Sequence, residues 1–168
     1  MIRTIIISVL VAATAAPGAS AAQGACTLIG TGGRDRLIGT GADEVICGRG
    51  GRDFIKGKGG DDRVLAGGGN DTVILGPGND EGFGQAGRDI IDGNGGSDLL
   101  SGKGGSDFLR GFGGSDTLRG GNKRDCLFTT DGVGGNDTAD GGPGTDIFDA
   151  DPGDTVSNAE QPGSCAGD

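Results

Sequence analysis

Thirteen acidic side chains recur at one phase of a nine-residue beat: Asp35, Glu44, Asp53, Asp62, Asp71, Asp80, Asp89, Asp98, Asp107, Asp116, Asp125, Asp137 and Asp146. They are 13 of the chain's 24 acids, a placement that a random polar linker has no reason to adopt. Carboxylates stacked one strand spacing apart repel by about 3–4 kcal/mol per neighbour at an effective dielectric of 20. Such a series makes sense only with cations between its members. The chemistry on offer is therefore cation binding by hard oxygen. Catalysis is harder to build, because the chain has no histidine. That removes Ser–His and Cys–His nucleophile pairs and any His-based zinc site. Paired carboxylates alone suffice for glycoside hydrolysis, but Trp and Tyr are absent, so no broad aromatic platform for sugar exists.

The elements that must position these acids follow from the beat itself, Gly-x-Gly-Gly-x-Asp-x-apolar-x. It runs from Gly30 to Phe128, pauses for three extra residues (Thr129 to Asp131), and resumes over Gly132 to Asp149. A fixed period of this kind dictates a repeat architecture. Glycine at places one and four lets the backbone coil at positive φ and turn its carbonyls inward. The three residues after each acid read as a short strand whose middle side chain points in. Those middle residues are Leu37, Ile46, Ile55, Val64, Val73, Gly82, Ile91, Leu100, Leu109, Leu118, Leu127, Ala139 and Phe148, and all but Gly82 are apolar.

Turn–strand–turn–strand at constant length predicts a coil in which two units complete one revolution and like strands stack in parallel. Asp35, Asp53, Asp71, Asp89, Asp107 and Asp125 then fall in one column, and Glu44, Asp62, Asp80, Asp98 and Asp116 in the opposite one. The donors are carboxylate and carbonyl oxygens in flexible loops. Calcium takes six to eight such oxygens in loose geometry, whereas magnesium demands a near-ideal octahedron. Zinc and copper call for His or Cys. Calcium is the expected ion.

The units GGGNDTVIL from Gly67, GNGGSDLLS from Gly93 and GGPGTDIFD from Gly141 resemble the nonapeptide of the hemolysin-type calcium-binding (RTX) family. The resemblance extends over most of the beat and implies an all-β, right-handed parallel β-roll with calcium held between successive turns by the sixth-place acids and loop carbonyls. The opening CTLIGTGGRDRLIGTGADEVICG also looks like small secreted bacterial proteins of this type. Toxins, lipases and proteases of the family carry an effector domain ahead of the roll. Here about eight residues separate a predicted leader from the first unit, so lysis and hydrolysis are not carried over. Glu44, Lys123 (in place of a loop glycine) and the unit with Leu75, Pro77 and Gly82 depart from the pattern, and weaker or missing sites are expected there.

Composition shows why the ion matters. The chain has 168 residues, a net charge of −10 and 41 glycines. Fixing each residue costs about 1–2 kcal/mol, and burying one apolar side chain per unit returns about 1.5–3 kcal/mol. A core this thin cannot hold the chain alone. Residues 1–21 have a positive start, a short apolar run and a small-x-small site, as in a secretory signal peptide. The expected divisions are therefore a leader (1–21), an N-terminal cap (22–29), the roll (30–149) and a capping tail (150–168). The protein is expected to be extracellular. Four cysteines then point to disulfides. Of three pairings, Cys26–Cys47 with Cys126–Cys165 is favoured because it staples each end, although Cys26 ahead of its strand and Cys47 behind one call for an irregular cap.

Other signals are weaker. Gly57-Lys58 and Gly102-Lys103 lack the remainder of a phosphate loop. Arg34, Arg52, Arg88 and Arg124 at the fifth place trim the charge of the ladder, and an acidic chain does not suggest a nucleic-acid partner. No membrane insertion is expected. The rival to a free calcium binder is a calcium-dependent surface or adhesion module, for which Phe54, Ile90 and Phe108 form an outward column facing a protein or cell-surface partner.

Overall fold

The computed structural model describes residues 25–158, 161–162 and 165. The predicted leader, the first residues of the N-terminal cap and much of the far tail lie outside the described residues. Within them the chain is all β. Strands are numbered in chain order and alternate between two parallel eight-stranded sheets. One sheet holds β1 (Leu28–Ile29), β3 (Val45–Cys47), β5 (Arg63–Gly68), β7 (Glu81–Ala86), β9 (Leu99–Gly104), β11 (Thr117–Asn122), β13 (Thr138–Asp140) and β15 (Thr155–Ser157). The other holds β2 (Arg36–Ile38), β4 (Phe54–Lys56), β6 (Thr72–Pro77), β8 (Ile90–Gly95), β10 (Phe108–Gly113), β12 (Cys126–Phe128), β14 (Ile147–Asp149) and β16 (Gln161–Pro162). From β2 to β14 every strand begins one residue after a sixth-place acid. Each pairs with the strand two along, so two units make one turn of a β-solenoid, as the spacing predicts. Among the described residues no helix is long and apolar enough to cross a membrane.

Register is fixed by the buried middle residues. Leu37, Ile55, Val73, Ile91, Leu109, Leu127 and Phe148 lie side by side in one sheet. Ile46, Val64, Gly82, Leu100, Leu118 and Ala139 do so in the other. A one-residue slip would turn this whole set outward. All except Gly82 belong to a single hydrophobic cluster, which also takes in Ala66 and Leu75. Leu75 explains how Gly82 is tolerated. A methyl group built on Gly82 would meet Leu75 Cδ1 at 3.1 Å and Ile91 Cγ2 at 3.0 Å. The place-one leucine of this unit fills the volume that its missing place-eight side chain leaves.

One expectation is corrected. Strands β5 to β11 run six residues, not three. Places one to three stack on their equivalents in the next turn, for example Gly76 on Asn94 and Gln85 on Lys103, because backbone groups inside a stack must find partners. The irregular part of these units shrinks to places four to six. The cysteine pairing is as expected, with Cα–Cα distances of 5.9 Å for Cys26–Cys47 and 6.1 Å for Cys126–Cys165. The irregular cap is present as well, since Cys26 lies ahead of β1 with a bend at Thr27 between them. Cys47 ends β3, and β1 runs beside it with Leu28 opposite Ile46.

The outward column Phe54, Ile90 and Phe108 is in register across β4, β8 and β10. Its rings are partly covered by cations, with Arg36 5.1 Å from the Phe54 centroid and Arg110 5.3 Å from that of Phe108. Cation–ring contact offsets part of the exposure of such a face.

Candidate metal centre

Side chains alternate along a strand, so the inward positions are place six (the acid), place eight (the apolar residue) and place one of the next unit. The sixth-place aspartates are accordingly buried, none more than 4% exposed, while Glu44 is half-buried. They form the two columns that the period predicts. In each column the backbone N–H of one acid donates to Oδ1 of the acid one turn further on. The distances are 2.8 Å for Asp35 to Asp53, 2.7 Å for Asp53 to Asp71, 2.8 Å for Asp89 to Asp107 and 2.8 Å for Asp107 to Asp125. Opposite them, Glu44 reaches Asp62 at 2.9 Å, Asp62 reaches Asp80 at 2.7 Å and Asp80 reaches Asp98 at 2.8 Å. The three extra residues do not break either ladder. Asp116 N–H still meets Asp137 at 2.7 Å and Asp125 N–H meets Asp146 at 2.8 Å, each across 21 residues rather than 18.

That ladder uses one carboxylate oxygen. The other, Oδ2, is buried without a hydrogen-bond partner in Asp53, Asp62, Asp71, Asp80, Asp89, Asp98, Asp107, Asp116, Asp125 and Asp137. Buried polar atoms are normally satisfied, and each exception calls for an explanation. The first turn differs. Asp35 Oδ2 accepts the Thr31 hydroxyl at 2.9 Å, and Glu44 accepts the Thr40 N–H at 3.0 Å. The chain's own groups already serve these two acids.

Burial raises the carboxyls, the backbone N–H on Oδ1 partly offsets it, and column neighbours often add a further rise. Asp62, Asp89, Asp98 and Asp125 are pushed up to about 7. Asp53, Asp80, Asp107 and Asp137 rise to about 6, and Asp71 and Asp116 also move up. Desolvation, more than the like-charge repulsion that the spacing suggests, is the leading cause.

The glycines divide the work differently from the expectation. Place four does take positive φ, as in Gly69 and Gly105. Place one mostly does not, and the second positive φ falls on place two, which tolerates Arg49, Lys58, Gln85 and Lys103. Place one is glycine because oxygens crowd it. A methyl group on Gly93 would run into Asp98 Oδ2 and would meet the Gly111 carbonyl at 2.9 Å. On Gly120 it would meet Asp125 Oδ2 at 2.5 Å and the Gly141 carbonyl at 2.7 Å. The unpartnered carboxylate oxygen and a carbonyl from the following turn thus converge on one small cradle.

Among the described residues no three acids come together as a ligand cluster. A cation held here must draw on backbone carbonyls as well as Oδ2. This all-oxygen donor set fits calcium, and nitrogen or sulfur ligands are not at hand.

One residue that the thirteen-acid reading left out extends the ladder. Asp154 Oδ1 accepts the Asp137 N–H at 3.4 Å and the Gly135 N–H at 2.9 Å, while Oδ2 takes the Thr129 hydroxyl at 2.9 Å. Its carboxyl is held below the usual range by these bonds, which outweigh its slight burial. The signal was visible as the fading beat in DPGDTVSN.

A family model for the RTX calcium-binding nonapeptide repeat (4 copies) matches overlapping segments 27–55, 48–81, 75–109, 92–125, 110–133 and 130–156. Neither curated proteins nor solved structures give a significant match.

Proposed function

Because the chain belongs to the family of RTX calcium-binding nonapeptide repeat proteins, we propose that its two columns of buried aspartates hold calcium between successive turns and that the roll closes as the ions bind. The row of buried Oδ2 atoms without partners carries this reading. Calcium would supply the positive charge that desolvated carboxylates lack. The chain's residues contribute Oδ2 and stacked carbonyls as donors, place-one glycine as clearance, and Oδ1 as the bond that keeps each acid in its column. The ligands are the sixth-place set from Asp53 to Asp146. Asp35 and Glu44 are weaker members, because Thr31 and Thr40 already satisfy them.

The two disulfides suit an oxidising compartment, and residues 1–21 read as an export signal. On this reading the chain leaves the cell loose and closes in calcium outside it. No catalytic role is assigned. The surface-module alternative rests on the Phe54–Ile90–Phe108 column, where Ile90 remains 39% exposed. Calorimetric titration of the oxidised, chelator-stripped chain tests the main reading. Uptake of several calcium ions per chain, with no comparable response to magnesium, is expected; absence of uptake would refute it.

A further inference from the structure

The Asp35-to-Asp146 column carries one break in its glycine pattern. Place four is glycine in every unit except for Ala42 and Lys123. Lys123 adopts φ 80°, a conformation that L side chains normally avoid. The fold therefore holds a side chain where it prefers none, and that side chain is a cation. Residues kept in unfavourable backbone conformations often have a role that outweighs the strain.

Lys123 and Asp107 line the same half-open cavity of about 460 Å³, with Arg88, Arg124, Phe108 and the Cys126–Cys165 disulfide among its other walls. Asp107 and Asp125 are successive members of the column, joined by the 2.8 Å bond from Asp107 N–H to Asp125 Oδ1. Both have a buried Oδ2 without a hydrogen bond. An ammonium tethered two residues before Asp125 offsets the negative charge at this step and repels a divalent ion approaching the same oxygens.

We propose that Lys123 is a built-in counter-cation for the Asp107–Asp125 step, so that this step takes up no calcium while the rest of the column does. The inference rests on the calcium reading above. Native mass spectrometry of the oxidised full chain in calcium provides the test, with Lys123→Gly restoring the repeat pattern and Lys123→Met removing charge but keeping bulk. Both variants are expected to bind one calcium more than wild type. In chelator near pH 6, where strand signal persists without the ion, Lys123→Met should also unfold at a lower temperature than wild type, because Asp107 has lost its counter-charge. Equal calcium counts in all three proteins would overturn the proposal. So would an extra ion in the glycine variant alone, since bulk rather than charge would then exclude calcium. Wild type binding no calcium would remove the calcium reading and this proposal together; an unchanged melting point for Lys123→Met in chelator would remove this one only.

Discussion

Acidification in the absence of calcium should restore structure to this protein, the reverse of ordinary acid denaturation. Asp62, Asp89, Asp98 and Asp125 titrate near 7 in the folded roll, and Asp53, Asp80, Asp107 and Asp137 near 6. In an unfolded chain they titrate near 3.8. Between those limits the folded state binds more protons than the unfolded one, so stability falls as pH rises from about 4 through about 7. Each proton taken up on folding contributes about 1.4 kcal/mol per pH unit. A net uptake of only three protons would therefore shift stability by about 4 kcal/mol per unit, a large share of the ~5–15 kcal/mol of a typical domain. The assay is far-UV circular dichroism across this range in excess chelator. Strand signal should be greatest near pH 4 and fall toward pH 8. With saturating calcium the slope should reverse, because the ion favours the charged carboxylates and protons compete with it. A chelated protein whose strand signal is flat, or rises with pH, would refute the burial argument.

Three further outcomes follow from single residues. Asp98→Asn keeps the acceptor for the Asp80 N–H but replaces the unpartnered oxygen with a donor near the Gly111 carbonyl. In chelator near pH 8 it should favour the fold by about 1–3 kcal/mol, seen as retained strand signal, while calorimetry records weaker calcium uptake. Gly93→Ala puts a methyl group 2.9 Å from the Gly111 carbonyl and against Asp98 Oδ2, whereas Gly95→Ala meets nothing within 4 Å. The first should weaken calcium binding, and the second should leave it unchanged with stability altered by less than about 1 kcal/mol. Asp89→Ala should reduce the calcium response more than Asp80→Ala, because Leu75 stands where the place-one glycine of the Asp80 unit belongs. Equal losses in a calcium titration would count against that ranking.

The sequence reading reached the solenoid, the two columns and the inward residues because all three depend on period alone, and it reached the cysteine pairing by favouring bridges that staple each end of the array. A beat of nine places like on like after 18 residues, and the pleat decides which side points in. What it missed depends on contacts between turns. Strand length escaped because Gly-rich places one to three look like loop until stacking supplies their hydrogen bonds. The place-one glycine was assigned a backbone role, since its real neighbour, Oδ2 of an acid five residues later, appears only when the turn closes. Leu75 looked like a defect until it was found opposite the space at Gly82. Thr31, Thr40 and Asp154 carry no period-wide signal. They matter because each sits near an end of a ladder and supplies bonds that the interior acids lack.

The central claim is that calcium, rather than the single-file hydrophobic core, holds one turn to the next. A calcium titration of the chelated, disulfide-intact protein near neutral pH, followed by circular dichroism and ion uptake on the same samples, tests it most directly. Strand signal should be largely absent at the start and should grow in step with the number of ions bound. A full strand signal before any calcium is added would contradict the account.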